Sequence, residues 1–136
     1  MSKENVELVR RIHNAWDRGE SMRELVDSES MRELVAEDVE YVNPPYAVEP
    51  GTRRGRGSFA LVTETIQDFE LRIDRFVDAG GEDVVVLAHY SGSGRSSGVP
   101  VSGEQGYVWT VRDGSAVRFR WFLSHREALE AAGVAE

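Results

Sequence analysis

The chain has 136 residues, the length of one domain at the usual ~100–200 residues, which excludes a two-domain cofactor enzyme. Hydrophobic residues make up 40% and charged residues 29%, the balance of a folded chain rather than a disordered one. A formal charge of −8 argues against nucleic acid and anionic membranes as partners, and the absence of Cys excludes disulfides, thiol nucleophiles and Cys-based metal sites.

The start, Met1-Ser2-Lys3-Glu4-Asn5, has no apolar core and does not read as a signal peptide. The longest purely apolar run, 84–88, falls far short of the ~20 residues of a membrane span. One cytoplasmic domain over residues 1–136 is expected. Residues 4–18 place Leu8, Val9, Ile12, Ala15 and Trp16 at three- and four-residue spacing, which predicts an amphipathic helix closed by Gly19.

A tandem duplication follows within residues 20–35. Glu20-Ser21-Met22-Arg23-Glu24-Leu25-Val26 recurs unchanged as Glu29-Ser30-Met31-Arg32-Glu33-Leu34-Val35. Each copy carries a capping box, Ser21 with Glu24 and Ser30 with Glu33, so each can start a helix. The nine-residue offset advances a helix by ~900°, half a turn out of phase. One straight helix would therefore turn the two Leu-Val pairs to opposite sides, and only one copy can fill the core.

Residues 40–43 read as a short strand ended by Pro44-Pro45, and 46–57 as a Gly/Pro/Arg-rich loop. Its Arg53-Arg54-Gly55-Arg56 cluster suits either an anion or solvent. Ser58 as N-cap, with Phe59, Val62, Ile66 and Phe69 as a stripe, predicts a second main helix. Strands are expected at about 69–78, 83–91, 99–112 and 116–124, separated by turn signals that include Ala79-Gly80-Gly81 and Asp113-Gly114. A short helix over 125–132 closes the chain. The order predicts an α+β fold, with N-terminal helices covering one face of a curved antiparallel sheet.

Aromatic residues alternate on the last two long strands. Tyr107 and Trp109 share one face, as do Phe119 and Trp121. They serve either as core or as the lining of an apolar cavity. Tyr41 and Asn43, two apart on one strand, share a face and offer hydrogen bonds there. Trp16 joins them from the first helix. His13, at the border of the helical stripe, reads as a half-buried structural residue, and His89, alternating with Val85 and Leu87, could face core or cavity; in an enzyme these two are the candidate bases near neutral pH. His125 reads as a surface residue. The three His lack HExxH spacing, so no metal site is expected. No cofactor motif is found, and Ser residues show no nucleophile elbow.

Several pieces in order resemble the nuclear transport factor 2-like superfamily, in its SnoaL-like branch. They are Ala15-Trp16 with Gly19, Asp38-Val39-Glu40-Tyr41 with Asn43-Pro44, Glu49-Pro50-Gly51-Thr52 with Gly55-Arg56, Val108-Trp109-Thr110-Val111-Arg112-Asp113-Gly114, and the ending Arg126-Glu127-Ala128-Leu129-Glu130-Ala131-Ala132-Gly133. The resemblance implies a cone-shaped fold with a deep pocket for a small apolar ligand, often dimerising through the sheet. It also implies where family chemistry would sit. The steroid isomerases' Asp base falls on Asn43, their helical Tyr on Ile12, and their second Asp near 105–107. The epoxide hydrolases' Tyr-x-Asn pair resembles Tyr41-Val42-Asn43. Their last-strand Asp falls on Trp121, and their Arg-x-Asp pair near 88–91. The polyketide cyclases' acid–base residues are not recognisable, and Ser124 stands where many relatives carry Asp. The expectation is a small-molecule-binding domain of this branch. The rival expectation is a non-catalytic dimerisation or accessory module.

Overall fold

The computed structural model describes residues 2–16, 29–47, 49–61, 66–94 and 96–134. Helix α1 (Ser2–Trp16) turns Val9, Ile12 and Ala15 inward, all at most 3% exposed. Full burial of an aliphatic side chain contributes roughly 1.5–3 kcal/mol, so this stripe anchors the helix to the sheet. The first copy of the duplicated heptad lies outside the described residues. The second forms α2 (Glu29–Leu34) and opens strand β1 (Val35–Asn43). Its Met31, Leu34 and Val35 are buried in the core.

Strand β2 (Gly51–Arg54) pairs antiparallel with β1, and a 3-10 helix (Arg56–Leu61) follows. Strands β3 (Ile66–Asp78), β4 (Asp83–Gly94), β5 (Pro100–Arg112) and β6 (Ser115–Phe122) then run as successive antiparallel neighbours. Helix α3 (His125–Ala131) ends the fold. The sheet order is β2-β1-β6-β5-β4-β3. The expected antiparallel sheet is therefore mixed: β1 runs parallel to β6, with Tyr41 opposite Phe119. The sheet stays open and does not close into a barrel.

Two layers pack on this sheet. On the inner face α1 and α2 cover Val39, Tyr41, Val84, Val86, Tyr107, Trp109, Val111 and Phe119. On the outer face Ala128 and Leu129 of α3 cover Val85, Leu87 and Val108. Gly106 permits that approach. A Cβ there would stand 2.6 Å from the Ala128 Cβ and 3.0 Å from the Ser124 carbonyl oxygen. The Asp113-Gly114 turn has positive φ at both residues, 52° and 79°. That is the type I′ geometry whose twist matches a two-residue hairpin.

The expected second main helix is not present over its described part. Its start is the 3-10 helix; Val62 lies outside the described residues, and Ile66 and Phe69 belong to β3. The reason is a competing period. Leu71 and Ile73 alternate two apart and pack on the inner core. The register then shifts between Ile73 and Arg75, leaving Asp74 as the extra residue, and Phe76 resumes the inner face. The loop expected over 46–57 contains β2, and β1 starts at Val35 rather than at residue 40. The arginine cluster is engaged by the protein itself. Arg53 pairs with Glu49, Arg54 with Glu40, and Arg56 Nε donates to the Val35 carbonyl at 2.9 Å.

Candidate functional site

The inner face gathers most of the aromatic side chains singled out in the sequence. Tyr41 from β1, Tyr107 and Trp109 from β5, and Phe119 from β6 converge on Phe59 of the 3-10 helix. Phe59 stacks on Trp109 at 5.7 Å and meets Tyr41 edge-on at 5.0 Å. Phe119 touches Tyr41, Tyr107 and Trp109 at 4.6–5.2 Å between ring centroids. All five are buried. Trp16 ends α1, and its side chain lies outside the described residues.

Trp121 and Asn43 stand at the edge of this cluster, both half-buried. Register places Tyr107 opposite Trp121, and Trp121 packs against the inner core. The Trp121 Nε1–H donates to Asn43 Oδ1 at 2.6 Å. Nearby, the Tyr46 hydroxyl accepts the Leu123 N–H at 2.8 Å and donates to Glu127 at 3.4 Å. The segment after β1 is thereby tied to the start of α3.

His13 is an interior residue, 4% exposed, rather than a border one. It stacks on Tyr107 at 5.7 Å and meets Trp109 and Phe76 edge-on. The Trp109 Nε1–H donates to His13 Nε2 at 3.1 Å. Nε2 must accept, so the neutral ring carries its proton on Nδ1. Burial pushes the His13 pKa down to about 3. The phenols are neutral as well. Burial pushes Tyr41 up to about 12 against the pull of the Arg53 charge, and Tyr107 is raised by burial and by Tyr41 beside it. None of these inward side chains is a carboxylate. They offer uncharged hydrogen-bonding groups in an aromatic setting.

His89 is not on that face. It sits opposite Arg72 on the outer side of the sheet, its side chain 41% exposed. The alternation with Val85 and Leu87 was read correctly, but all three turn away from the inner core. Its Nδ1 is 2.5 Å from Asp74 Oδ2, and Arg72 Nη2 is 3.2 Å from the same nitrogen. A guanidinium donates and a carboxylate accepts, so Nδ1 cannot serve both; the shorter contact to Asp74 assigns it a proton. Burial would raise the Asp74 pKa, but hydrogen bonds from His89 and Arg72 outweigh it and hold the carboxyl below its ordinary range.

His125, expected at the surface, is half-buried beside His89, with ring centroids 5.2 Å apart. Its Nε2 donates to the Ala88 carbonyl at 2.8 Å, and its backbone N–H donates to Glu104 at 2.8 Å. The Ser124 hydroxyl accepts the Glu127 N–H and donates to the Glu127 carboxylate, both at 3.1 Å. This N-cap fixes the first turn of α3 and so the place of His125. The spacing Ser124…Glu127 was the available signal. The meeting of His125 with His89 and Asp74 across the sheet had none.

A family model described as a SnoaL-like domain matches residues 9–119. No curated protein matches the sequence. Among solved structures, an NTF2-like protein of unknown function from Burkholderia pseudomallei K96243 is 24% identical, with 93% of this chain and 95% of that one covered at a TM-score of 0.69. A putative SnoaL-like polyketide cyclase from Jannaschia sp. CCS1 is 19% identical, with 98% and 94% covered at 0.71. TerC, co-crystallised with polyporic acid, is 20% identical, with 96% and 98% covered at 0.68. At these identities the likeness is one of fold.

Proposed function

Because the chain belongs to the SnoaL-like domain family, we propose that it binds an apolar, ring-bearing small molecule against the inner face of its sheet. One arrangement carries this reading: Trp121 and Asn43 stand half-buried at the edge of an aromatic face, locked by a 2.6 Å hydrogen bond. The bond occupies the amide oxygen and leaves the Asn43 Nδ2 to donate to a ligand carbonyl or hydroxyl. The Trp121 ring offers an apolar surface beside it. Behind them, neutral Tyr41 and Tyr107 extend the polar choices without a charge. The chemistry so supplied is binding and orientation. The polyporic acid co-crystallised with TerC is a ligand of the class that suits such a face.

A second reading is a non-catalytic dimerisation or accessory module whose inner face is only core. The contact of Phe59 with three neighbouring rings and of Phe119 with four favours it. Intrinsic tryptophan fluorescence separates the two. Titration with polyporic acid as first probe is expected to quench emission saturably. Asn43→Ala is expected to weaken binding by ~0.5–1.5 kcal/mol. Emission that never saturates, across a panel of aromatic ketones and quinones, favours the second reading.

A further inference from the structure

We propose that the outer face carries a binding site for a divalent transition-metal ion of the zinc type, formed by Asp74, His89 and His125. Asp74 comes from the bulge in β3, His89 from β4, and His125 from the first turn of α3. One donor atom from each lies within 4.8 Å of the others. Ligands around zinc stand ~2.0–2.2 Å from the ion, hence about 3.3–3.5 Å apart in a tetrahedron. Small side-chain rotations would reach that spacing by opening the short His89–Asp74 contact and drawing the donors in toward His125, and two of the three side chains have room to make them. His89 is 41% and Asp74 30% exposed.

The proton positions suit a cation. The Ala88 carbonyl can only accept, so His125 carries its proton on Nε2 and presents a lone pair at Nδ1. A ring N–H held by a backbone carbonyl is the usual support of a metal-bound imidazole. On His89 a cation at Nδ1 would take the place of the proton shared with Asp74, which binding releases. Glu104 stands 3.9 Å from His125 Nδ1 and is tied to the same residue through its backbone N–H, adding a second carboxylate. Two imidazoles with carboxylates form a donor set for zinc, nickel or copper rather than for calcium or magnesium. Arg72 is an adverse charge, with Nε 3.2 Å from Asp74 Oδ1 and Nη2 3.2 Å from His89 Nδ1. Its side chain is 73% exposed and free to withdraw.

The composition sharpens the test. The chain has three His and no Cys, and His13 is enclosed in the core. Any His-dependent metal binding must therefore use His89 and His125. Zinc titrated into the full chain at neutral pH, followed by calorimetry, is expected to bind at one equivalent. Imidazole NMR is expected to shift the His89 and His125 signals and leave His13 in place. His89→Ala and Asp74→Asn, both at solvent-accessible positions, are each expected to lower zinc affinity by at least ~10-fold, as disruption of a metal site does. Thermal melting confirms that each variant is folded. Zinc binding that persists undiminished in both variants, or that calcium and magnesium displace at equal concentration, overturns the site and assigns the ion to scattered carboxylates. Absence of binding overturns it as well. Because this site lies on the face opposite the aromatic cluster, its failure leaves the ligand reading untouched.

Discussion

His13 is the residue whose chemistry the fold changes most. Its pKa of about 3 lies well below the ordinary 6.5. The unfolded chain therefore takes up a proton as pH falls below ~6.5, while the folded chain takes it up only near 3. Stability linked to His13 is complete above the unfolded value and is lost progressively as pH falls through this window. The slope approaches ~1.4 kcal/mol per pH unit. His13→Gln keeps an acceptor for the Trp109 Nε1–H and cannot titrate. Urea unfolding at pH 7, 6 and 5 is expected to show the parent losing stability more steeply than His13→Gln. Parallel curves would show that the ring protonates without cost in place. The same burial explains why position alone set His13 at half depth when it lies deeper. A stripe read from the sequence marks which side of a helix turns inward, not how deep the neighbouring ring goes once Tyr107, Trp109 and Phe76 close around it.

Among the elements, the duplicated heptad bears the most direct test. The second copy supplies Met31, Leu34 and Val35 to the core, and its last residue already belongs to β1. A helix continued from the first copy would carry that copy's Leu-Val pair half a turn away. Deleting residues 21–29 leaves Gly19-Glu20-Ser30, one capping box and the observed core residues. Melting is expected at or above the parent temperature, since shortening the connection between α1 and α2 changes closure entropy by well under ~1 kcal/mol. An unfolded deletion variant would show that both copies build one core. Legibility also varied by element. Helix α1, the hairpin at Asp113-Gly114 and α3 were readable because local chemistry dictates each: an apolar stripe, a positive-φ dipeptide, a short segment stopped at Gly133. The start of β3 was misread because Phe59, Val62, Ile66 and Phe69 fit a helical spacing by coincidence, and only cross-strand pairing with β4 decides between the two periods. The short β2 carries four exposed residues and no apolar alternation, so it left no pattern to read.

At the scale of the molecule, the two faces of the sheet differ in kind. The inner face is covered by α1, α2 and aromatic rings except at the edge where Trp121 and Asn43 stand half-buried. The outer face is covered by α3 over β4, β5 and β6, while toward β1 and β2 it presents the ion cluster of Glu40 with Arg54 and Arg118, each at 2.9 Å. We propose that two copies associate through this face, which a two-fold axis would meet with its own charges. Sedimentation is expected to give twice the chain mass at low salt and to shift toward one chain as salt screens the pairs. A single-chain mass at every concentration and salt would exclude the interface. The inward aromatic set was legible because alternation assigns faces within a strand, while the cone followed from the family resemblance. The pairing of Asp74, His89 and His125 was not, because it depends on a bulge in β3 and on the angle at which α3 lands on Gly106.

The parallel contact between β1 and β6 also sets an order of events. Tyr41 finds Phe119 across the sheet only after nearly the whole chain exists. During synthesis β1 and β2 can form their hairpin early, but a lone hairpin is marginal in water. The strand that completes the centre of the sheet arrives last. Closing so long a loop makes the final step slow relative to the local turns. Until then the edge of β1 and the rings meant for the interior stay open to other chains. Recovery of folded protein is therefore governed by how quickly β6 docks, and chain concentration during that interval decides between folding and aggregation.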